Sequence, residues 1–136
     1  MNSSILSQQQ LRERPLQGRR VLVVEDDYFI ALELCTALRS AGAEVLGPAR
    51  DVESGLAAIG EQRLDCAVLD INLRGRMAFP IAAELRKRGV PTIFATGYDE
   101  TMVPAEHAAT LRLEKPVNLP VLCRAVEECC TGEPPA

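Results

Sequence analysis

Val21-Leu22-Val23-Val24-Glu25-Asp26-Asp27 is a short apolar run, rich in β-branched residues, that stops on three acids. A run of this length with no polar alternation reads as a strand buried on both faces, the habit of strands in a parallel sheet. The arrangement returns at Cys66-Ala67-Val68-Leu69, which ends in Asp70, and at Thr92-Ile93-Phe94-Ala95, which ends in Thr96.

Outward from these runs the pattern alternates between periods. Tyr28 to Ala41 carries apolar residues at Ile30, Leu34, Ala37, Leu38 and Ala41, a helical spacing ended by Gly42. Ala43 to Leu46 predicts a short strand closed by Gly47-Pro48, and Val52 to Ile59 a helix with Asp51 as its N-cap. Ile81 to Arg88 predicts a helix ended by Gly89, Asp99 to Ala109 a short helix, and Leu111 to Leu113 a strand. Leu119 to Cys130 predicts the last helix, with Pro120 in the first turn, where proline is tolerated. Five strands alternating with five helices predict an α/β fold: a doubly wound, five-stranded parallel sheet flanked by five helices, with right-handed crossovers. Residues 1–18 are polar, contain Pro15 and Gly18, and are expected to form a flexible arm, with order beginning at Arg19 or Arg20. The ordered domain is expected over 19–130, with 131–136 as a tail too short to be an output domain.

Composition bounds the function classes. The 136 residues suffice for one hydrophobic core. A net charge of −4 argues against a dedicated nucleic-acid surface, which is usually basic. No run approaches the ~20 apolar residues that span a bilayer, and the first residues have no apolar stretch of signal-peptide length. The five cysteines form no C-x-x-C pair and their odd count argues against a disulfide framework. Cys35, Cys66 and Cys123 sit in apolar segments and read as small buried hydrophobes. Cys129 and Cys130 stand near the C-terminus, where oxidation between molecules is conceivable. A reducing cytoplasm is the simplest home.

In an open parallel sheet the site lies outside the carboxyl ends of the strands. The first predicted strand ends in Glu25-Asp26-Asp27, the third in Asp70-Ile71-Asn72, the fourth in Thr96-Gly97 and the fifth in Glu114-Lys115-Pro116. Singly, each has a plain structural reading: Asp26 or Asp27 as a helix cap, Asp70 or Thr96 as a turn residue, Lys115 as a solvated lysine. Together they require four coincidences at one sheet edge, and convergent titratable groups usually mark a site. Gathered carboxylates repel one another unless a cation compensates them, and hard oxygen ligands suit Mg²⁺. One carboxylate is then free to attack phosphorus and form an aspartyl phosphate. A lysine and the metal stabilise charge on the phosphoryl oxygens, and a threonine hydroxyl can hydrogen-bond the bound group.

VLVVEDD, AVLDINL, FATGY and LEKPV, in this order, resemble the receiver domains of two-component response regulators. The resemblance runs from about Arg19 to about Cys130. It implies a (βα)5 flavodoxin-like, CheY-like fold, and Asp70 as phosphoacceptor. It also implies Glu25 and Asp26 as an acidic pair with Asp26 the more direct Mg²⁺ ligand, and Asn72 giving its backbone carbonyl to the metal. Thr96 is implied as switch hydroxyl and Lys115 as the signature lysine, with a cis Lys115–Pro116 peptide. Asp27 fits this set less well and is placed at the start of the first helix. FATGY further resembles a subgroup of receivers, many of them stand-alone proteins in bacterial stress signalling.

One position departs from the family: a Tyr or Phe usually stands three residues before the lysine, where this chain has Arg112. Tyr98 or Arg112 is therefore expected to supply a different switch. The implied partners are a sensor histidine kinase or a histidine phosphotransfer protein, and a downstream protein target read by the region Asp99 to Glu128. No DNA or membrane contact is expected, and the chain is read as a monomer or a phosphorylation-dependent dimer. It is read as a switch rather than an enzyme. Two other functions compete with this reading. A haloacid-dehalogenase-type phosphatase places a second acid two positions after its nucleophile, where this chain has Asn72. A pseudo-receiver that binds without phosphorylation would not require the complete acid, threonine and lysine set. His107, the one histidine, is expected at the surface or in a loop.

Overall fold

Side chains along the first strand alternate between two separate cores. Val21 and Val23 join Leu34, Leu38, Val68, Ile93 and Leu122 on one face, while Leu22 and Val24 join Val52, Leu69, Ile81, Leu85 and Phe94 on the other. This double burial is why the run is apolar throughout. The computed structural model describes residues 14–97 and 103–131. Its elements are β1 (Arg20–Val24), α1 (Tyr28–Ser40), β2 (Glu44–Ala49), α2 (Val52–Ile59), β3 (Cys66–Asp70), β4 (Asn72–Leu73), β5 (Arg76–Met77), α3 (Phe79–Lys87), β6 (Thr92–Thr96), a 3-10 turn (Ala105–His107), β7 (Leu111–Glu114) and α4 (Leu119–Thr131).

The main sheet has the order β2-β1-β3-β6-β7, and all its neighbouring pairs are parallel. This is the doubly wound arrangement predicted, with one fewer α-helix: of the segment Asp99 to Ala109, the described part forms only the 3-10 turn Ala105–His107. The sheet order reverses direction between β1 and β3, so the crevice at their carboxyl ends is the place for a site.

The helices start where side chains cap them. Asp27 Oδ1 accepts from Ile30 N at 3.0 Å and opens α1. Asp51 and Ser54 form a reciprocal capping box at the start of α2, with Ser54 N donating to Asp51 Oδ1 at 2.7 Å.

Three expectations are corrected. The second strand does not stop at Gly47-Pro48 but runs on to Ala49. As an edge strand it tolerates a residue without an N–H, and its register against β1 shifts between Leu22 and Val24. Gly47 makes the passage possible: its φ is +100°, and a Cβ there would stand 2.6 Å from Val23 O. Order also begins before Arg19. Leu16 is 0% exposed and packs in the α1 core, held by its N–H donating to Ala41 O at 2.8 Å. Lastly, His107 is buried rather than superficial. Its ring stacks on Phe79 with centroids 5.8 Å apart and planes 12° apart, and meets Phe94 edge-on at 6.0 Å. The planar imidazole serves there as part of an aromatic layer.

Candidate functional site

Each site residue stands at or just past the carboxyl end of a strand of the main sheet. Glu25 and Asp26 follow β1, Asp70 closes β3, Thr96 closes β6, and Lys115 follows β7. The edge is pinned by backbone bonds: Glu25 N donates to Ala49 O at 2.9 Å, and Lys115 N to Thr96 O at 2.8 Å. The Lys115–Pro116 peptide is cis.

Glu25, Asp26 and Asp70 bring carboxylate oxygens within 4.8 Å of one another. Lys115 Nζ bridges two of them, at 2.9 Å from Glu25 Oε1 and 3.1 Å from Asp70 Oδ2. Backbone donors hold the other oxygens: Asp27 N to Glu25 Oε2 at 3.1 Å and Asn72 N to Asp70 Oδ1 at 3.2 Å. Glu25 and Asp70 are both buried, so their charges interact with little screening by water.

The electrostatics follow. Burial, and then the charge of Glu25, push the Asp70 carboxyl up to about 7 against the pull of Lys115. Burial would also raise Asp26, but hydrogen bonds with Asp70 and Glu25 and the charge of Lys115 hold it below its ordinary value. Burial would lower Lys115, yet its contacts with Glu25 and Asp70 raise it. Three acids against one lysine leave this pocket short of positive charge. A small divalent cation would supply it, and the all-oxygen donor set fits Mg²⁺.

Thr96 is buried at the end of β6. The Asn72 side chain is turned away from a ligand role, since its Oδ1 accepts from Gly75 N at 2.7 Å. It thereby shapes a feature not expected from the sequence: residues 72–77 form an antiparallel hairpin, β4 and β5, directly after Asp70. Arg74 and Gly75 at its tip have φ of 54° and 90°, the positive pair that a two-residue hairpin turn requires. An Arg76–Glu53 ion pair ties the hairpin to α2. Arg74-Gly75 between Leu73 and Met77 was the one signal for it in the sequence. Arg112 lies on β7, exposed, paired in register with Phe94 and away from the acids. Tyr98 lies outside the described residues.

A profile of the response regulator receiver domain family matches residues 21–127. The chain belongs to this family. Receiver domains are signalling switches. The sensory transduction protein LytT of Bacillus subtilis (strain 168) is 34% identical over 89 residues, which are 63% of this chain and 37% of LytT. The transcriptional regulatory protein PdtaR of Mycobacterium tuberculosis (strain CDC 1551 / Oshkosh) is 27% identical over 113 residues, 80% of this chain and 55% of PdtaR. This receiver chain thus spans about half or less of the length of these curated relatives.

Among solved structures, SdrG from Sphingomonas melonis Fr1 superposes with a TM-score of 0.70 at 30% identity, covering 80% of this chain and 95% of SdrG. The receiver domain of the response regulator PhyR of Erythrobacter litoralis superposes at 0.75 and 22% identity, covering 88% and 97%; that likeness is one of fold.

One feature beside the site was not anticipated. Helix α1 exposes Tyr28 (59%), Phe29 (74%) and Leu32. A cleft of about 400 Å³ opens between α1 and the connection from β7 to the start of α4, lined by Ile30, Glu33, Leu34, Lys115, Val117 and Leu119. Tyr28, Phe29 and Leu32 fall outside the apolar spacing of Ile30, Leu34, Ala37, Leu38 and Ala41 that predicts this helix. Among the described residues, no helix is long and apolar enough to cross a membrane.

Proposed function

We propose that the chain is a response regulator whose Asp70 accepts a phosphoryl group in a Mg²⁺-dependent reaction. The carrying observation is Lys115 Nζ bridging Glu25 and Asp70 at 2.9 and 3.1 Å beside Asp26. Asp70 offers the nucleophilic oxygen. The donor is a phosphohistidine of a sensor kinase or phosphotransfer protein: a P–O bond to Asp70 forms as the P–N bond breaks, and the imidazole leaves. Lys115 takes the developing charge on a phosphoryl oxygen, and the Thr96 hydroxyl hydrogen-bonds another. Asp26, Glu25, Asp70 and the backbone carbonyl of Asn72 are the residues that would hold Mg²⁺, directly or through water. When bound, the ion neutralises the phosphoryl oxygens.

The exposed aromatic pair and the cleft on α1, next to Lys115, support docking of the donor protein at this edge. The region Asp99 to Glu128, of which 103–128 are described, is the face we assign to the downstream protein target. A target with equal affinity for both states would overturn that assignment, because such a ligand cannot read the switch. Arg112, and Tyr98 of the FATGY stretch, are proposed to replace the usual aromatic switch. That stretch is also what supports placing the chain in the stand-alone subgroup. Five free cysteines suit a cytoplasmic location. The dehalogenase reading is disfavoured by Asn72, whose side chain is engaged in the hairpin turn and is no acid.

The test is intact-protein mass after incubation with acetyl phosphate, with and without Mg²⁺. The expected result is one phosphoryl adduct that requires Mg²⁺ and disappears in Asp70→Asn. An adduct that survives the substitution would place the phosphoryl group elsewhere. No adduct from acetyl phosphate or from a phosphorylated histidine kinase would favour the phosphorylation-independent reading.

A further inference from the structure

The chain reverses direction within a few residues of Asp70. Asn72 pairs with Met77 and Leu73 with Arg76 across the antiparallel hairpin, whose two-residue tip is Arg74-Gly75. At its base Ala78 N donates to Ile71 O at 2.7 Å, which makes Ile71 and Ala78 a bonded pair of the ladder. Bonded and non-bonded pairs alternate along antiparallel strands. Asn72 and Met77 are therefore a non-bonded pair, with main-chain groups facing away from the opposite strand. The Asn72 N–H shows where that side lies, because it donates to Asp70 Oδ1 at 3.2 Å. In a bonded pair each residue uses its N–H and its carbonyl together, so the two face one side of a strand. The Asn72 carbonyl thus shares the side of the hairpin that faces Asp70.

We propose that the hairpin is the positioning element of the cation site: its register presents the Asn72 carbonyl beside Asp70, and the Asn72 side chain and Gly75 hold that register. The inference rests on the reading of Glu25, Asp26 and Asp70 as the residues that bind Mg²⁺. Groups behind a metal ligand fix its orientation and thereby set affinity. Asn72 acts here twice, through its main chain at the acids and through its side chain at the turn.

Local contacts fix the arrangement. Leu73 is buried with Val52 and Ile81 in the core beneath α2 and α3, and a slip of one residue would turn it to solvent. Gly75 N donates to Asn72 Oδ1 at 2.7 Å, so the turn is closed by the same residue whose main chain faces Asp70. Gly75 has a φ of 90°, and a Cβ there would meet nothing within 4 Å. The position therefore selects by backbone conformation and not by space. On the returning strand, the Arg76–Glu53 ion pair ties the hairpin to α2.

Backbone ¹⁵N–¹H and carbonyl ¹³C spectra of the full chain, titrated with MgCl₂, test the assignment. Gly75→Val puts a β-branched residue at a positive φ, which it resists, in open space. Gly75→Asn fills the same space with a residue that accepts this conformation. Gly75→Val and Asn72→Ala are expected to bind Mg²⁺ about tenfold more weakly than the unaltered chain, and Gly75→Asn within about twofold of it. In EDTA, the Gly75 amide should exchange faster in Asn72→Ala, which lacks its acceptor. Should a variant not fold, the unaltered chain reads the same arrangement: the Asn72 carbonyl signal should move with Mg²⁺ while those of Leu73 and Met77 hold. Equal Mg²⁺ affinity in all four proteins would overturn the proposal and leave the metal site standing. Gly75→Asn binding as weakly as Gly75→Val would also overturn it, assigning the loss to bulk at the tip. Absence of Mg²⁺ binding by the unaltered chain would overturn both this inference and the reading it rests on.

Discussion

Lys115 stands between two carboxylates that burial has made mutually repulsive, and it cannot compensate both of them and Asp26 as well. Without a cation the acids should therefore oppose one another, and a bound cation would relieve that repulsion. Replacing Asp70 by Asn keeps an oxygen for the Asn72 N–H and removes one of the like charges. In EDTA, Asp70→Asn is expected to melt several degrees above the unaltered chain. Adding MgCl₂ should raise the melting temperature of the unaltered chain, as any ligand of the native state does, and should raise that of the variant much less. Differential scanning fluorimetry of both proteins with and without the ion checks this; a variant that melts lower in EDTA would mean that the three acids are not in conflict.

Two elements carry predictions of their own. The turn ahead of β1 is part of the domain because Leu16 fills the core beneath α1 and its N–H bonds to Ala41 O. Leu16→Ala empties a fully buried position, and urea unfolding should show a loss of about 2–4 kcal/mol. A loss below ~0.5 kcal/mol would return this segment to a surface arm. At the start of α2, the Asp51 carboxyl is lowered from 3.8, first by the Ser54 hydroxyl and then by the Ser54 N–H. The folded chain therefore gives up this proton more readily than the unfolded one. The stabilisation is complete above the ordinary value of 3.8 and fades as pH falls through the lower, folded value. Asp51→Asn retains a capping oxygen without the charge. The difference in melting temperature between parent and variant is thus expected to shrink as pH is lowered from 6 through the carboxylate range; a constant difference would assign the cap no charge component.

At the scale of the molecule, the acids and the region assigned to output are joined by β6 and β7. Thr96 closes β6, pairs in register with Glu114 on β7, and accepts the Lys115 N–H at its carbonyl. A phosphoryl group that draws in the Thr96 hydroxyl pulls on this pair of strands and on the elements they carry. Phosphorylation is therefore expected to shift backbone amide signals over 103–128 more than those of β2 and α2, which lie beyond β1 on the other side. Arg112→Ala should diminish these shifts if Arg112 belongs to the switch. ¹⁵N–¹H spectra of the phosphorylated and unphosphorylated forms read both outcomes, and undiminished shifts in the variant would remove Arg112 from the mechanism.

The doubly wound sheet was legible in the sequence because its signal is local. Val21 to Val24, Cys66 to Leu69 and Thr92 to Ala95 are apolar throughout, which burial on both faces demands, and each ends in a polar residue at the same edge. The edge itself is legible in the sequence, where Glu25-Asp26-Asp27, Asp70, Thr96 and Glu114-Lys115 follow the strands; the resemblance to receiver domains singles out Glu25, Asp26, Asp70, Thr96 and Lys115 among them. Other features depend on contacts between distant segments, which no local pattern encodes. Leu16 is core only because the end of α1 lies above it, and His107 is buried only because Phe79 and Phe94 offer two ring faces. Periodicity reports which face of an element is buried, and it determined the fold and the edge where chemistry gathers. What buries that face, and which groups meet there, is set by chain segments far apart in sequence, and only the tertiary structure decided it.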